Sequence, residues 1–226
     1  TATFSENVTG FTGADLDLVN GILVSFTGGG SVYNFNILPF IQGLVTVDLD
    51  ANGAMDAAGN NNTAATQFDI TYDTVPPVIT MLGTSPVTIE YGNTYTDAGA
   101  TASDTNDGNI TGSIVTVNPV NTSTLGTYTV TYNVTDAAGN VATQVTRTVN
   151  VIPRAITVTA GTNTKTYDTN TSSVTTPTIT SGSLATGDTA TWSQTYDNAN
   201  VVGSPTKVLT PTGTVFNGAT NVTSKY

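Results

Sequence analysis

The sequence contains no cysteine and no histidine. Without cysteine there is no disulfide framework and no thiol chemistry. That absence alone leaves the compartment open, since many exported bacterial proteins lack cysteine whereas small secreted eukaryotic domains are usually rich in it. Without histidine, Ser-His-Asp, Cys-His and His-metal arrangements are all excluded. Glutamate occurs only as Glu6 and Glu90, in different segments. A paired-carboxylate hydrolase would therefore have to use aspartates, and most of these sit beside Gly and Asn in turns. Charge is scarce as well: 9% of residues are charged, with a formal net charge of -11. An acidic balance argues against nucleic acid, which needs a basic footprint, and against anionic membrane surfaces. No apolar run approaches a membrane span, and no segment shows sustained helical periodicity. No signal peptide is visible: Thr1 opens directly into a strand-like stretch, as in a mature chain or a fragment.

What remains is Thr, Asn, Gly, Val and Ala. Thr and Val favour strands, Gly and Asn favour turns, and 226 residues suffice for two or three β-sandwiches. The clearest stretch runs from Tyr128 to Val151. Tyr128, Val130, Tyr132 and Val134 alternate with Thr129, Thr131, Asn133 and Thr135, a period of two that marks a half-buried strand. Asp136-Ala-Ala-Gly139-Asn140 breaks the pattern, and alternation resumes through Val141, Val145, Val149 and Val151. Two such runs about a Gly/Asn turn predict a β-hairpin. The same five residues recur as Asp56-Ala-Ala-Gly59-Asn60 before the alternation of Phe68, Ile70 and Tyr72. The chain thus holds at least two domains of related plan.

Residues 1–75 form the first segment. Phe4-Ser5-Glu6, Val8, Phe11 and Asp15 open it; Ile22, Val24 and Phe26 alternate before a Gly28-Gly29-Gly30 turn; strands follow at Val32–Pro39 and Val45–Leu49, then the loop from Asp50 to Asn62. This pattern resembles a bacterial immunoglobulin-like domain of large surface proteins. Such domains usually begin with a further strand, so the first domain is expected to be incomplete at its N-terminus. Thr74-Val75-Pro76-Pro77 makes a short, stiff boundary, because proline fixes φ and donates no ladder hydrogen bond. Residues 76–152 carry PPVITMLG, then Tyr95 to Ala102, the loop Ser103 to Thr111, and GTYTVTYNVTDAAGN with RTVNV. They resemble the immunoglobulin-like repeat of bacterial surface proteins and of some insecticidal crystal proteins. The resemblance implies a β-sandwich and no catalytic residues. Residues 153–226, from Lys165-Thr166-Tyr167-Asp168 through Trp192 to Asp197, Val202-Gly203 and Lys207 to Gly213, resemble the YDG β-domain of bacterial adhesins. Thr169 stands where that motif has glycine, and this domain is expected to be incomplete at its C-terminus.

Calcium is the sharpest chemical candidate. Ca²⁺ takes six to eight hard oxygens from carboxylates, amides and turn carbonyls. Asp104, Asn106, Asp107 and Asn109 offer that mixture around Gly108, and Asp97 and Asp136 are expected at the same end of the sandwich. A weaker set is Asp48, Asp50, Asn52 and Asp56, which starts like an EF-hand but has Gly59 where the twelfth-position Glu is needed. Asp73, beside the linker, is a separate candidate for a junction site. The plainer role for all of these is to close turns through their own side chains. Arg147 is in register with Val145 and Val149 and is expected to snorkel to a carboxylate at the rim. Trp192 and Tyr196 share a strand face and could stack on sugar or pack in a hairpin. Lys165, Lys207 and Lys225 invite a Lys–Asn isopeptide crosslink, but no Glu lies near them. Seven N-x-[ST] sequons, at Asn7, Asn61, Asn109, Asn121, Asn133, Asn170 and Asn221, follow from composition alone.

The sequence therefore reads as all-β, three tandem immunoglobulin-like β-sandwich domains in an elongated rod. The expected function is a non-catalytic spacer or stalk of a large exported bacterial surface adhesin, stiffened by Ca²⁺. Its expected partners are neighbouring domains or subunits, with no nucleic acid and no membrane insertion. Alternatives are a subunit of an extracellular filament or surface layer, assembled by strand complementation, and a carbohydrate-binding module.

Overall fold

Alternating Thr and Val can bury one strand face and solvate the other, as Val145–Ile152 does. The computed structural model describes residues 1–166, 168–199 and 207–226. Among them the regular structure is β, in six small sheets, with only single 3₁₀ turns besides. The chain divides into two compact units, one of Thr1–Thr80, Ala100–Val115 and Asn133–Gln144, the other of Met81–Gly99, Thr116–Tyr132 and Val145–Tyr226. Among the described residues, no helix is long and apolar enough to cross a membrane. The sheets are those of tandem β-sandwich domains.

In the first unit, Ala2–Thr9 lies between Gly21–Pro39 and Met55–Asp56, all antiparallel. A second antiparallel sheet places Gly43–Leu49 between Leu16–Val19 and Phe68–Tyr72. The opening motif supplies the core. Phe11 sits edge-on to Phe4, Phe26 and Tyr33, at centroid distances of 5.2, 5.3 and 4.9 Å, and Val8, Ala54, Leu16 and Leu49 close around them. Asp15 and Thr12 form a capping box: Asp15 accepts from the Thr12 N–H at 2.7 Å, and Thr12 Oγ1 accepts from Ala14 N–H at 3.3 Å. Gly21–Pro39 doubles back on itself at the triglycine. Phe40 N–H donates to Asn20 O at 3.2 Å, and a Cβ on Gly28 would stand 2.4 Å from Val32 O. Only glycine fits there, at φ +120°. In this strand Ile22 and Val24 are exposed, and Leu23 between them is half-buried. Ser25 and Phe26 are both half-buried, so the alternation breaks just before Phe26 and Phe26 still joins the core.

Of the hairpin read from Tyr128 to Val151, the residues up to Tyr132 and from Val145 belong to the second unit, and Asn133–Gln144 to the first. Gly126–Asn133 pairs antiparallel with Val145–Ile152, Tyr132 opposite Val145 and Tyr128 opposite Val149. Val87–Glu90 joins the other edge of Val145–Ile152 in parallel. The inward set is sealed: Val130, Tyr132 and Val149 are at 0% exposure. Val141, in the same alternation by sequence, is instead exposed, because it lies in the loop and not in the paired strand. Arg147 does not snorkel. It is 1% exposed, its Nη1 2.6 Å from Asp97 Oδ1. Its Nη2 donates to the carbonyls of Leu82 and Gly99, and the guanidinium lies 5.9 Å from the Tyr132 ring centroid. A rim carboxylate was the expected partner; the strand register instead places the guanidinium inside, where only a carboxylate drawn inward can match it.

The rest of this unit contains Thr157–Thr159 paired with Thr178–Ser181, and Asp188–Tyr196 paired with Leu209–Asn217, itself paired with Thr220–Asn221. Val215 is buried. Gln194 is buried and fully satisfied, with Gly161 N–H, Gly161 O and Ser173 Oγ at 2.8, 2.8 and 2.9 Å. Tyr167 and Val202-Gly203, named in the sequence reading, lie outside the described residues. Thr169, at the position of the motif glycine, has the left-handed φ of +63° that glycine favours.

Candidate metal centre

Asp-Ala-Ala-Gly-Asn is a self-closing turn. In the second copy Asp136 Oδ1 accepts from Asn140 N–H at 2.7 Å and Oδ2 from Asn140 Nδ2 at 2.9 Å, while Gly139 takes φ +94°. In the first copy Asp56 accepts from Asn60 N–H and Asn60 Nδ2, both at 2.8 Å, with Gly59 at φ +91°. The flanking residues bridge alike, Met55 to Asn61 and Thr135 to Val141. The repeated pentapeptide is therefore one structure used twice.

Around the second copy, two further aspartates converge. Asp104 closes its own turn, with Oδ1 accepting from Asn106 N–H at 2.7 Å and Asp107 N–H at 3.1 Å. Asp107 Oδ2 accepts from Ala137 N–H at 2.7 Å, which fastens this loop to the Asp136 turn. Asp73 accepts from Val75 N–H at 3.0 Å, and its carbonyl accepts from Asn140 Nδ2 at 3.3 Å. As a result one carboxylate oxygen each from Asp73, Asp104 and Asp136 lies within 4.8 Å of the others. All three belong to the first unit.

This gathering is electrostatically unfavourable as it stands. Like charges so close disfavour one another, and no lysine or arginine offsets them: among the described residues the ion pairs are Arg147–Asp97 and Lys165–Asp168. The N–H groups of Asn106 and Asp107 hold the Asp104 carboxyl below the ordinary carboxylate range, so it does not escape by protonation near neutral pH. Asp136 is 8% exposed. Asp104 Oδ2 is sealed from solvent without a hydrogen-bond partner, and so is Asn106 Nδ2. A buried oxygen left unpaired is costly. Three carboxylates and neighbouring amide and carbonyl oxygens are a donor set for a hard cation, and they lack the nitrogen and sulfur that zinc or copper favours.

Of the residues singled out by sequence, Asp104 and Asp136 meet here, joined by Asp73 from the linker. Asp107 serves as a crosslink, and Asn109 closes an Asx turn, its Oδ1 accepting from Thr111 N–H at 3.0 Å. Asp97 is placed elsewhere. It accepts from Tyr95 Oη at 2.8 Å, from Tyr132 Oη at 2.7 and 2.8 Å, and from Arg147. Asp48, Asp50, Asn52 and Asp56 do not gather. Asp48 accepts from Gln67 Nε2, Asn52 Oδ1 from Asn61 Nδ2 at 3.0 Å, and Asp56 closes on Asn60.

The other candidates are occupied. Trp192 is half-buried and lies across Gly213 on the facing strand, which is hairpin packing. Lys165 Nζ is 2.8 Å from Asp168 and 2.7 Å from Asn170 Oδ1. Lys207 Nζ donates to Asn198 Oδ1 at 2.9 Å, and Lys225 Nζ to Ser123 O at 2.7 Å.

Residues 1–72 match the family model described as bacterial Ig-like domain. Residues 79–151 match the model described as bacterial surface protein, Ig-like domain. No curated protein matches the chain.

Proposed function

We propose, on the premise that this chain belongs to the bacterial immunoglobulin-like domain families of surface proteins, that it is a structural segment of a bacterial surface protein, specifically the spacer or stalk of an adhesin. The observation that carries this reading is the tandem arrangement itself. Two matched segments, 1–72 and 79–151, follow one another across a link that contains Pro76 and Pro77, and proline limits the bending of such a link. Side chains are spent on packing and turn closure, as Trp192 and the DAAGN aspartates are. The function is then mechanical: to hold something at a distance from the cell. Its partners are neighbouring domains of the same long chain.

The test is antibody raised against residues 1–226 and applied to intact cells of the source bacterium. Surface labelling that is lost after brief external protease treatment is expected. Labelling only after the cells are opened would overturn the reading.

A second reading, a self-assembling filament subunit, rests on the first segment. The strand Phe68–Tyr72 is a sheet edge whose apolar residues are open, Phe68 at 60% and Ile70 at 56%. A cleft of about 510 Å³ beside it is lined by Phe4, Leu16, Phe35 and Leu49. An open apolar edge invites an added strand. Concentration-dependent fibres under the electron microscope would favour this reading over the stalk.

A further inference from the structure

We propose that Asp73, Asp104 and Asp136 form a calcium site that ties the segment entering the Pro76-Pro77 link to the two loops at Asp104–Asn109 and Asp136–Asn140. The inference does not depend on the adhesin reading, since the site would bind its cation whatever the parent protein does.

Four observations converge on the cation. The carboxylate oxygens come within 4.8 Å of one another although no basic side chain draws them together. Asp104 Oδ2 is buried and has no partner. Two residues on, Asn106 Nδ2 is also buried without a partner; turned about its last torsion, that amide would present an oxygen instead. These are two of the five such atoms among the described residues, and they sit in one loop of six residues. Finally, the frame holding the carboxylates is made of backbone and amide hydrogen bonds, Asp107 to Ala137 and Asn140 to Asp73, so the ligands are placed before any ion arrives.

Coordination preference selects the ion. Mg²⁺ keeps several waters and demands near-ideal octahedral geometry, whereas Ca²⁺ accepts irregular sets of carboxylate, amide and carbonyl oxygens. Three carboxylates from three separate segments, gathered within 4.8 Å of one another, make an irregular set of that kind. The donors are all oxygen, and the chain has neither histidine nor cysteine to attract zinc. Three negative charges around one Ca²⁺ also remove the mutual repulsion, which gives binding a driving force beyond the bonds. The consequence is mechanical. With Ca²⁺ bound, Asp73 is fixed to both loops; without it, Asp73 is held by its own turn and by the single 3.3 Å contact from Asn140.

The test uses the whole 226-residue chain, stripped with chelator and titrated with CaCl₂ in a calorimeter, with MgCl₂ as comparison. One Ca²⁺ per chain is expected, with Mg²⁺ at least tenfold weaker. Asp73→Asn and Asp104→Asn each remove one charge and are expected to weaken Ca²⁺ at least tenfold. Asp73→Asn can still accept from Val75 N–H, so folding of that variant is expected to persist. Limited proteolysis gives a second readout. Calcium should slow cleavage within residues 73–77 at least fivefold in the parent chain and not in Asp73→Asn. No saturable heat at millimolar Ca²⁺ with the folded chain would overturn the proposal. So would stoichiometric binding that both substitutions leave unchanged, since the ion would then sit elsewhere. Binding without slower cleavage of 73–77 would overturn the mechanical role.

Discussion

Arg147→Ala is expected to cost about 3–5 kcal/mol, the usual penalty for removing one partner of a buried ion pair. Arg147 is 1% exposed, and its loss leaves the Asp97 carboxylate without its counter-charge and the Leu82 carbonyl without the guanidinium donor, while the Gly99 carbonyl keeps the Leu82 N–H at 3.0 Å. It also removes the cation beside the Tyr132 ring. Arg147→Met keeps most of the volume and is expected to recover part of the loss through packing alone. The chain has two units and more than one transition is expected, so hydrogen exchange is the right measurement. Amides of Gly126–Asn133 and Val145–Ile152 should lose protection, while those of Gly43–Leu49, in the first unit, should keep theirs. Equal protection in both variants and the parent would show that the pair stabilises nothing. The same network sets an acid limit. Burial alone would raise the Asp97 carboxyl; hydrogen bonds from Tyr132 and Tyr95 and the Arg147 charge outweigh it and hold it below the ordinary range. A depressed carboxyl stabilises the fold above its unfolded value of about 4, and that contribution is lost as pH falls through the lower, folded value. Burial and Asp97 push the Tyr132 hydroxyl up, so it remains a donor through the alkaline range. The hairpin should therefore loosen below pH ~4 before it responds to base.

The same residues show where sequence reasoning carries and where it stops. Alternation found the hairpin because each inward residue needs only to be apolar, and Val130, Tyr132, Val149 and Val151 are all buried. The pentapeptide repeat was legible because its bonds are local, within five residues. Asp97 was not separable from Asp104 and Asp136 by type or by loop position. The signal was Arg147 itself: a guanidinium in register with buried valines needs an inward carboxylate, and Tyr95 and Tyr132 mark the loop that supplies one. The meeting of Asp73 with Asp104 and Asp136 spans 31 and 63 residues, and no local spacing encodes a contact at that range. At Ile22 and Val24 the alternation does not say which face is buried, because apolar residues in a strand can lie on either surface, and a break at Ser25–Phe26 changes which one is buried.

Glycine in the middle of a paired strand weakens it unless something needs the space, and at Gly213 something does. It faces Trp192 across the ladder between Asp188–Tyr196 and Leu209–Asn217. A Cβ there would stand 1.8 Å from Trp192 Cε3, 2.3 Å from Cζ3 and 2.7 Å from Thr191 O. The indole occupies the side-chain volume that Gly213 lacks. Gly213→Ala therefore cannot be absorbed by a small shift: the ring must leave its position or the strands must part. Overpacking of this kind costs about 1–3 kcal/mol, and loss of the indole's burial adds to it. Trp192 is the chain's single tryptophan, so its emission reports the event directly. Gly213→Ala is expected to shift that emission to longer wavelength and lower the melting temperature of the transition it follows. Trp192→Leu vacates the contact, so Gly213→Ala placed on that background should cost less than it does alone, a coupling that a double-mutant cycle measures. An unchanged emission and melt in Gly213→Ala would mean that the ring does not rest on Gly213, and the stacking face it shares with Tyr196 would again be free for a ligand. Additive losses in the cycle would place the cost of the alanine in the strand backbone, away from the indole.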